Sequence, residues 1–161
     1  MARLPALGSR GEGWVAIQAV LFVAIGVIGV TTRGRWTEPI ATLAAVAGWA
    51  LIAAGGGLAA AALAVLRGGD ALTAVPRPRD DARLVDSGPY RLVRHPVYGG
   101  LVLAAFGWGL VQASLPAIAG AALLLAFFDL KRRREEAWLR DHFSGYAAYE
   151  AGTRRMIPWL F

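Results

Sequence analysis

Residues 39–66 read PIATLAAVAGWALIAAGGGLAAAALAVL, a block without a single Asp, Glu, Lys, Arg or His. A helical bilayer span needs about 20 consecutive apolar residues, within a usual range of about 17–25. This block has length to spare, which allows either tilt or a break near Gly55-Gly56-Gly57. Further apolar blocks lie at 14–30, 98–113 and 115–130, the last two short for a span. A soluble core in a chain of 161 residues, 57% of them apolar, would not need its apolar residues gathered into such blocks. The expected fold is therefore all-α: a single-domain polytopic membrane protein with about four transmembrane helices. Ser114-Leu115-Pro116 joins the last two blocks, which predicts a tight helical hairpin with Pro116 in the first turn of the fourth helix. The block at 14–30 is longer than a signal core and no small-residue cleavage site follows it, so it is expected to be the first span.

Lys and Arg gather on the cytoplasmic side of short loops. Arg3 and Arg10 precede the first block, and Arg67, Arg77, Arg79, Arg83, Arg91 and Arg94 separate the second from the third. Lys131, Arg132, Arg133, Arg134, Arg140, Arg154 and Arg155 follow the fourth, against only Arg33 and Arg35 in the opposite loops. The asymmetry predicts cytoplasmic termini, a cytoplasmic Arg-His-Pro loop and a C-terminal interfacial helix beyond residue 130. Positive-inside loops and attraction to anionic lipid account for the net charge of +6. No basic stripe interleaved with aromatics forms a nucleic-acid reading face, so no nucleic acid is expected as a partner. The chain has no Cys, which removes disulfides, thiolate metal sites and Cys nucleophiles, and no metal is expected. Sixteen Arg against one Lys, amid abundant Ala and Gly, suits a GC-rich bacterial genome and an inner-membrane location. Trp14, Trp36 and Trp159 are expected in interfacial belts, and Trp49 and Trp108 in packing within the spans.

Chemistry concentrates in two places. Residues 84–100, LVDSGPYRLVRHPVYGG, contain Leu84-Val85, Gly88-Pro89-Tyr90 and Arg94-His95-Pro96-Val97-Tyr98-Gly99-Gly100. Glu135-Glu136 follow later, then Phe143, Tyr146, Tyr149 and Ile157-Pro158. A helix start at an interface explains a polar residue and a proline, but not that whole set at fixed offsets. For the glutamates, a structural reading is at hand: ion pairs four residues apart, Lys131 with Glu135 and Arg132 with Glu136. Asp129 can pair with Arg133 in the same way at the end of the fourth block.

The pattern resembles the isoprenylcysteine carboxyl methyltransferase and phospholipid methyltransferase superfamily, membrane enzymes that move a methyl group from S-adenosylmethionine. The resemblance covers roughly the second half of the chain, and Phe143-Ser144-Gly145-Tyr146 is one residue tighter than the usual family spacing. It implies that Leu84, Val85, Tyr90, His95, Pro96, Val97 and Tyr98 line the cofactor site. It also implies that Glu135 binds the cofactor and that Lys131, where the family more often has Arg, contacts the acceptor. The residue chemistry suits these roles. Imidazole and carboxylate hydrogen-bond the amino-acid end and hydroxyls of such a cofactor, and tyrosine faces attract a sulfonium. Arg94 is expected to fix a carboxylate of cofactor or acceptor, and Glu136 to help an amine acceptor lose its proton. Gly55-Gly56-Gly57 lacks the GxGxxG spacing and is read as close helix packing, with a cofactor-adjacent Gly-x-Gly as the alternative. The expected activity is methyl transfer to a lipidic, prenylated or otherwise membrane-partitioned acceptor, with membrane lipid as partner. A phospholipid amine or small-thiol methyltransferase, and a non-catalytic helper or lipid-binding protein on the same fold, stay open as alternatives.

Overall fold

The computed structural model describes residues 5, 7–68 and 84–158. Arg3, Arg77, Arg79, Arg83 and Trp159, which entered the expectations above, lie outside the described residues. The chain forms α1 (Glu12–Thr31), α2 (Ile40–Gly68), α3 (Pro96–Val111), α4 (Leu115–His142) and α5 (Tyr146–Gly152), with a 3-10 turn at Gly88–Arg91. Among the described residues there is no strand, only an isolated parallel bridge between Val93 and Arg154. Both α1 and α2 are long and apolar enough to cross a bilayer. Val20 and Val23 on α1, and Leu43, Val46 and Trp49 on α2, stand exposed, an apolar exterior suited to lipid rather than water. The helix α3 is apolar but has only 16 residues.

Of the boundaries that differ from the sequence reading, two have a plain physical reason. First, α3 begins at Pro96 rather than at residue 98, because proline's fixed φ and missing N–H suit the first helical position. Second, α4 does not stop at 130 but runs unbroken to His142, so the expected interfacial helix is its continuation. Ion pairs along that stretch carry it through the charge run: Arg133 to Asp129 at 2.6 Å and Arg132 to Glu136 at 3.0 Å. The long second block forms one helix with no break at the glycines.

The packing of α2 on α3 explains part of the glycine run. Gly48 meets Gly107 and Gly55 meets Gly100, in antiparallel register, and a Cβ on Gly107 would lie 2.5 Å from the Gly48 carbonyl oxygen. At Gly55 and Gly100 a Cβ would run into the opposite carbonyl. Small residues let the backbones approach, whereas Gly56 and Gly57 face open space. The tryptophans divide differently from the belt and packing expectation. Trp49 is 60% exposed on the outer face of α2. Trp14 is instead buried in the core with Val102, Leu124 and Phe128, its ring 5.6 Å from Phe127. Trp108 lies half-buried, close against Gly29, and Trp36 donates its indole N–H to the Leu110 carbonyl at 2.9 Å.

That last bond belongs to the end of the bundle where α1 meets the α3–α4 hairpin. Thr32 and Ser114 share a hydroxyl bond of 2.6 Å, and the Gly34 N–H donates to the Gln112 carbonyl at 3.1 Å. The Ser114 hydroxyl also accepts from the Ala117 N–H at 3.1 Å, capping α4, with Pro116 in its first turn as the spacing predicts. The functional residues gather at the other end.

Candidate functional site

The Arg-His-Pro loop is tied to the C-terminal segment by a short backbone zipper. The Arg154 N–H donates to the Leu92 carbonyl, the Arg94 N–H to the Arg154 carbonyl and the His95 N–H to the Arg155 carbonyl, each at 2.9 Å. The Tyr149 hydroxyl donates to the Tyr90 carbonyl at 2.8 Å. Gly99 is required where it stands, since a Cβ there would run into the Met156 carbonyl. Two sequence segments far apart in the chain thus form one surface at the start of α3.

Beneath that surface lies Glu136, 2% exposed. Its Oε1 accepts from Arg94 Nε at 2.9 Å and from His95 Nε2 at 3.2 Å, and its Oε2 accepts from Arg132 Nη1 at 3.0 Å. Burial alone would raise its carboxyl pKa; the hydrogen bonds and charges of His95 and Arg94 overcome that and hold it down at about 2. Since an ionised carboxylate can only accept, Nε2 of His95 carries the proton in this contact. Arg94 is engaged within the chain. Its Nη1 donates to the Thr153 carbonyl at 2.6 Å and the Glu150 carbonyl at 3.0 Å, capping α5, while Nη2 lies 3.9 Å from the Glu150 carboxylate. Arg94 thus holds a carboxylate of the chain's own, that of Glu136. Glu136 is thus an anion at ordinary pH, its oxygens shared among three donors.

Its neighbour Glu135 is arranged otherwise. This carboxylate keeps 22% of its side-chain surface exposed and, among the described residues, accepts one hydrogen bond, from the Tyr98 hydroxyl at 2.8 Å. His95 Nδ1 lies 3.7 Å from the same oxygen. The Tyr98 ring stacks with His95 at 5.3 Å and with Phe128 at 4.5 Å, contacts worth about 0.5–1.5 kcal/mol per aromatic pair beyond burial. Lys131 sits with its ammonium 5.0 Å from the Tyr98 ring centre and donates to Gln18 Oε1 at 2.5 Å. The spacing-based pair of Lys131 with Glu135 is thus replaced by a bond to α1, while Arg132 with Glu136 forms as the spacing predicts. Tyr90 is buried, and burial followed by the charge of Glu135 pushes its phenol pKa well up, so it is a neutral phenol at ordinary pH. The buried Tyr146 hydroxyl has no hydrogen-bond partner among the described residues, although the charges of Glu136, Arg94 and Glu135 all act on it.

Of the sequence-derived candidates, the fold brings His95, Tyr98, Glu135, Glu136, Arg94 and Lys131 into one connected group. Pro96 is buried at the first position of α3, and Val97 follows it half-buried. Leu84 and Val85 are half-buried residues leading into the 3-10 turn, with no polar side-chain group to offer. The structure adds Gln18, Phe128, Glu150 and Thr153 to this neighbourhood. Of these only Gln18 carried a signal, as the one polar side chain in residues 14–30. Asp129 joins the group through Arg132 and also pairs with Arg133, while the Trp138 ring lies 4.3 Å from the Arg134 guanidinium. His142 is exposed.

Comparison with known proteins points the same way as this geometry. Two "probable protein-S-isoprenylcysteine O-methyltransferase" sequences, from Oryza sativa subsp. indica and subsp. japonica, are each 32% identical over 102 residues, which is 61% of this chain and 53% of theirs. A "cobalt-zinc-cadmium resistance protein CzcN" from Cupriavidus metallidurans is 36% identical over 83 residues, 51% of this chain and 38% of that protein. The chain thus spans about half or less of these relatives' lengths. The sequence model of phospholipid methyltransferases matches residues 43–145, which take in most of α2, all of α3 and α4, and His95, Tyr98, Lys131 and both glutamates. With more than half its length so matched, the chain belongs to the phospholipid methyltransferase family.

Proposed function

We propose that this chain transfers a methyl group from S-adenosylmethionine to a membrane-partitioned acceptor, in the manner of the isoprenylcysteine O-methyltransferases named among its relatives. In this reading α1 to α4 form a four-span bundle whose charged end, with both termini, faces the cytoplasm. The observation that carries it is the division of labour between adjacent glutamates. Glu136 is saturated by Arg94, His95 and Arg132, whereas Glu135 is partly open, beside an imidazole and a tyrosine. A buried, unpartnered hydroxyl on Tyr146 adds a further polar group that a guest would satisfy.

These residues fit a donor that carries a cationic centre, an ammonium and ribose hydroxyls. Glu135 has lone pairs left for N–H or O–H donors, and Tyr90 supplies a neutral aromatic wall. The Tyr98 ring already stacks with His95 and Phe128, so its role is to hold Glu135 in place as much as to offer a face. When bound, the cofactor supplies an activated methyl on a sulfonium. The protein then has to align the acceptor nucleophile in line with that methyl and keep water out, and alignment is worth up to about 7–11 kcal/mol in the best cases. Lys131 holds an anionic acceptor, and Glu136 with Arg94 fixes the geometry instead of moving protons.

The test is a labelling assay. Purified protein in lipid nanodiscs receives methyl-labelled S-adenosylmethionine and a panel of phospholipids, prenylated cysteines and small thiols. The proposal predicts saturable label in a lipidic acceptor, released by mild base if the product is a carboxyl ester and retained if it is an amine or thioether. Absence of label across the panel, with no cofactor binding, would favour a non-catalytic membrane helper.

A further inference from the structure

Of the seventeen basic side chains counted as Lys or Arg, sixteen are Arg and one is Lys131. That lysine is 2% exposed. Its ammonium sits 5.0 Å from the Tyr98 ring centre and 5.9 Å from that of Phe128, and it donates to Gln18 Oε1 at 2.5 Å. An ammonium has three N–H bonds, and among the described residues Gln18 is its one hydrogen-bond acceptor. Around it stand Glu135 on its own helix, which forms no ion pair with it among the described residues, Tyr98 on α3 with His95 stacked behind, and the neutral amide of Gln18 on α1.

Neither partner is cheap to bury alone. A polar amide in an otherwise apolar helix and an ammonium out of water each need a partner, so the contact stabilises both. Yet one contact does not satisfy a group with three donors. Arginine in this place would present a rigid planar fork; lysine leaves a point charge that can turn its remaining N–H bonds toward a guest. One helical turn onward lies Glu135, the carboxylate assigned above to the methyl donor.

We infer that Gln18 is a positioning residue: its side-chain carbonyl holds the Lys131 ammonium beside the donor site, ready to bind an anionic oxygen of the acceptor. This makes α1, outside the family-matched residues 43–145, part of the acceptor site. The inference rests on the methyltransfer reading. It adds a residue to that reading's acceptor side.

Because the chain has a single lysine, selective 13Cε-lysine labelling gives one side-chain NMR signal that reports this ammonium alone. The experiment compares wild type with Gln18→Leu, Gln18→Asn and Gln18→Glu in nanodiscs. It measures that signal, S-adenosylhomocysteine affinity, and the KM and kcat for an S-farnesylated N-acetylcysteine. Saturating probe should displace the wild-type lysine signal, and its methyl ester should do so less. Gln18→Leu should move the resting signal and raise the probe's KM about tenfold, the scale of a lost hydrogen bond to a charged group, with kcat and S-adenosylhomocysteine affinity held within about twofold. Gln18→Asn, with its amide drawn back, should fall between, and either polar variant carries the comparison if Gln18→Leu does not fold. If the wild-type signal ignores the probe while S-adenosylhomocysteine binds, or if the Gln18 variants leave both signal and KM unchanged, the inference falls alone. If the folded wild type binds no S-adenosylhomocysteine, the methyltransfer reading falls and takes the inference with it.

Discussion

The two ends of the helical bundle are closed by different chemistry. At the hairpin end, neutral groups suffice: the Thr32–Ser114 hydroxyl pair, the Ser114 cap on α4 and the Trp36 indole on the Leu110 carbonyl. At the other end Arg94, His95 and Arg132 converge on buried Glu136, and Arg94 reaches on to the carbonyls of α5. Stability alone does not call for the second arrangement, since a buried ion network is often no more stabilising than apolar packing of similar volume. What the charges provide is position. They fix His95 at the start of α3, and through stacking and the Tyr98 hydroxyl they fix the orientation of the open carboxylate at Glu135. The neutral end holds helices together; the charged end holds a site together.

The sharpest way to break this contrast is Glu136→Gln. Removing the anion strands three cationic or proton-donating partners in a buried setting, and the expected loss is about 3–5 kcal/mol, read as a large fall in unfolding temperature in detergent. The same group sets an acid limit. Its carboxyl is held at about 2 in the fold against an ordinary 4.5, so its contribution is complete above 4.5 and is lost as pH falls toward 2. Tryptophan fluorescence across that window should show the loss, and Glu136→Gln should flatten it. Ser114→Ala at the hairpin end should cost less, about 1 kcal/mol for the lost cap, and leave S-adenosylhomocysteine affinity untouched. A change in affinity there would mean that the two ends are coupled. The smallest stability effect belongs to Tyr146→Phe, within about 0.5 kcal/mol because no hydrogen bond is lost, with S-adenosylhomocysteine binding weakened several-fold.

What could be read from the sequence depended on range. Apolar blocks gave the helices, and Pro116 after Ser114 gave the hairpin, because these signals lie within a few residues of one another. A helix beyond residue 130, with ion pairs four residues apart, was legible; that it runs on from the fourth block without a break was not, because the change from apolar to charged residues reads as a boundary between two helices. The candidate residues of the Arg-His-Pro loop and the glutamate pair stood out by motif, but their relations did not. Arg94 meets Glu136 across 42 residues and Lys131 meets Gln18 across 113, distances at which periodicity is silent. Hence the pairing of Arg94 with Glu136 was not legible, although both residues were candidates. The opposite lesson comes from Trp14 and Trp49. Both sit in apolar surroundings in the sequence, and only the packing shows that one faces the core and the other faces outward.

In the proposed function, Glu135 is open because it receives the methyl donor. Calorimetric titration of the nanodisc-embedded protein with S-adenosylhomocysteine, alongside Glu135→Ala, tests it most directly. The wild type should bind saturably, with affinity weakened at least about tenfold in Glu135→Ala, as for a lost hydrogen bond to a charged group, and with the unfolding temperature nearly unchanged. Equal binding by the two proteins, or none by the folded wild type, would contradict it.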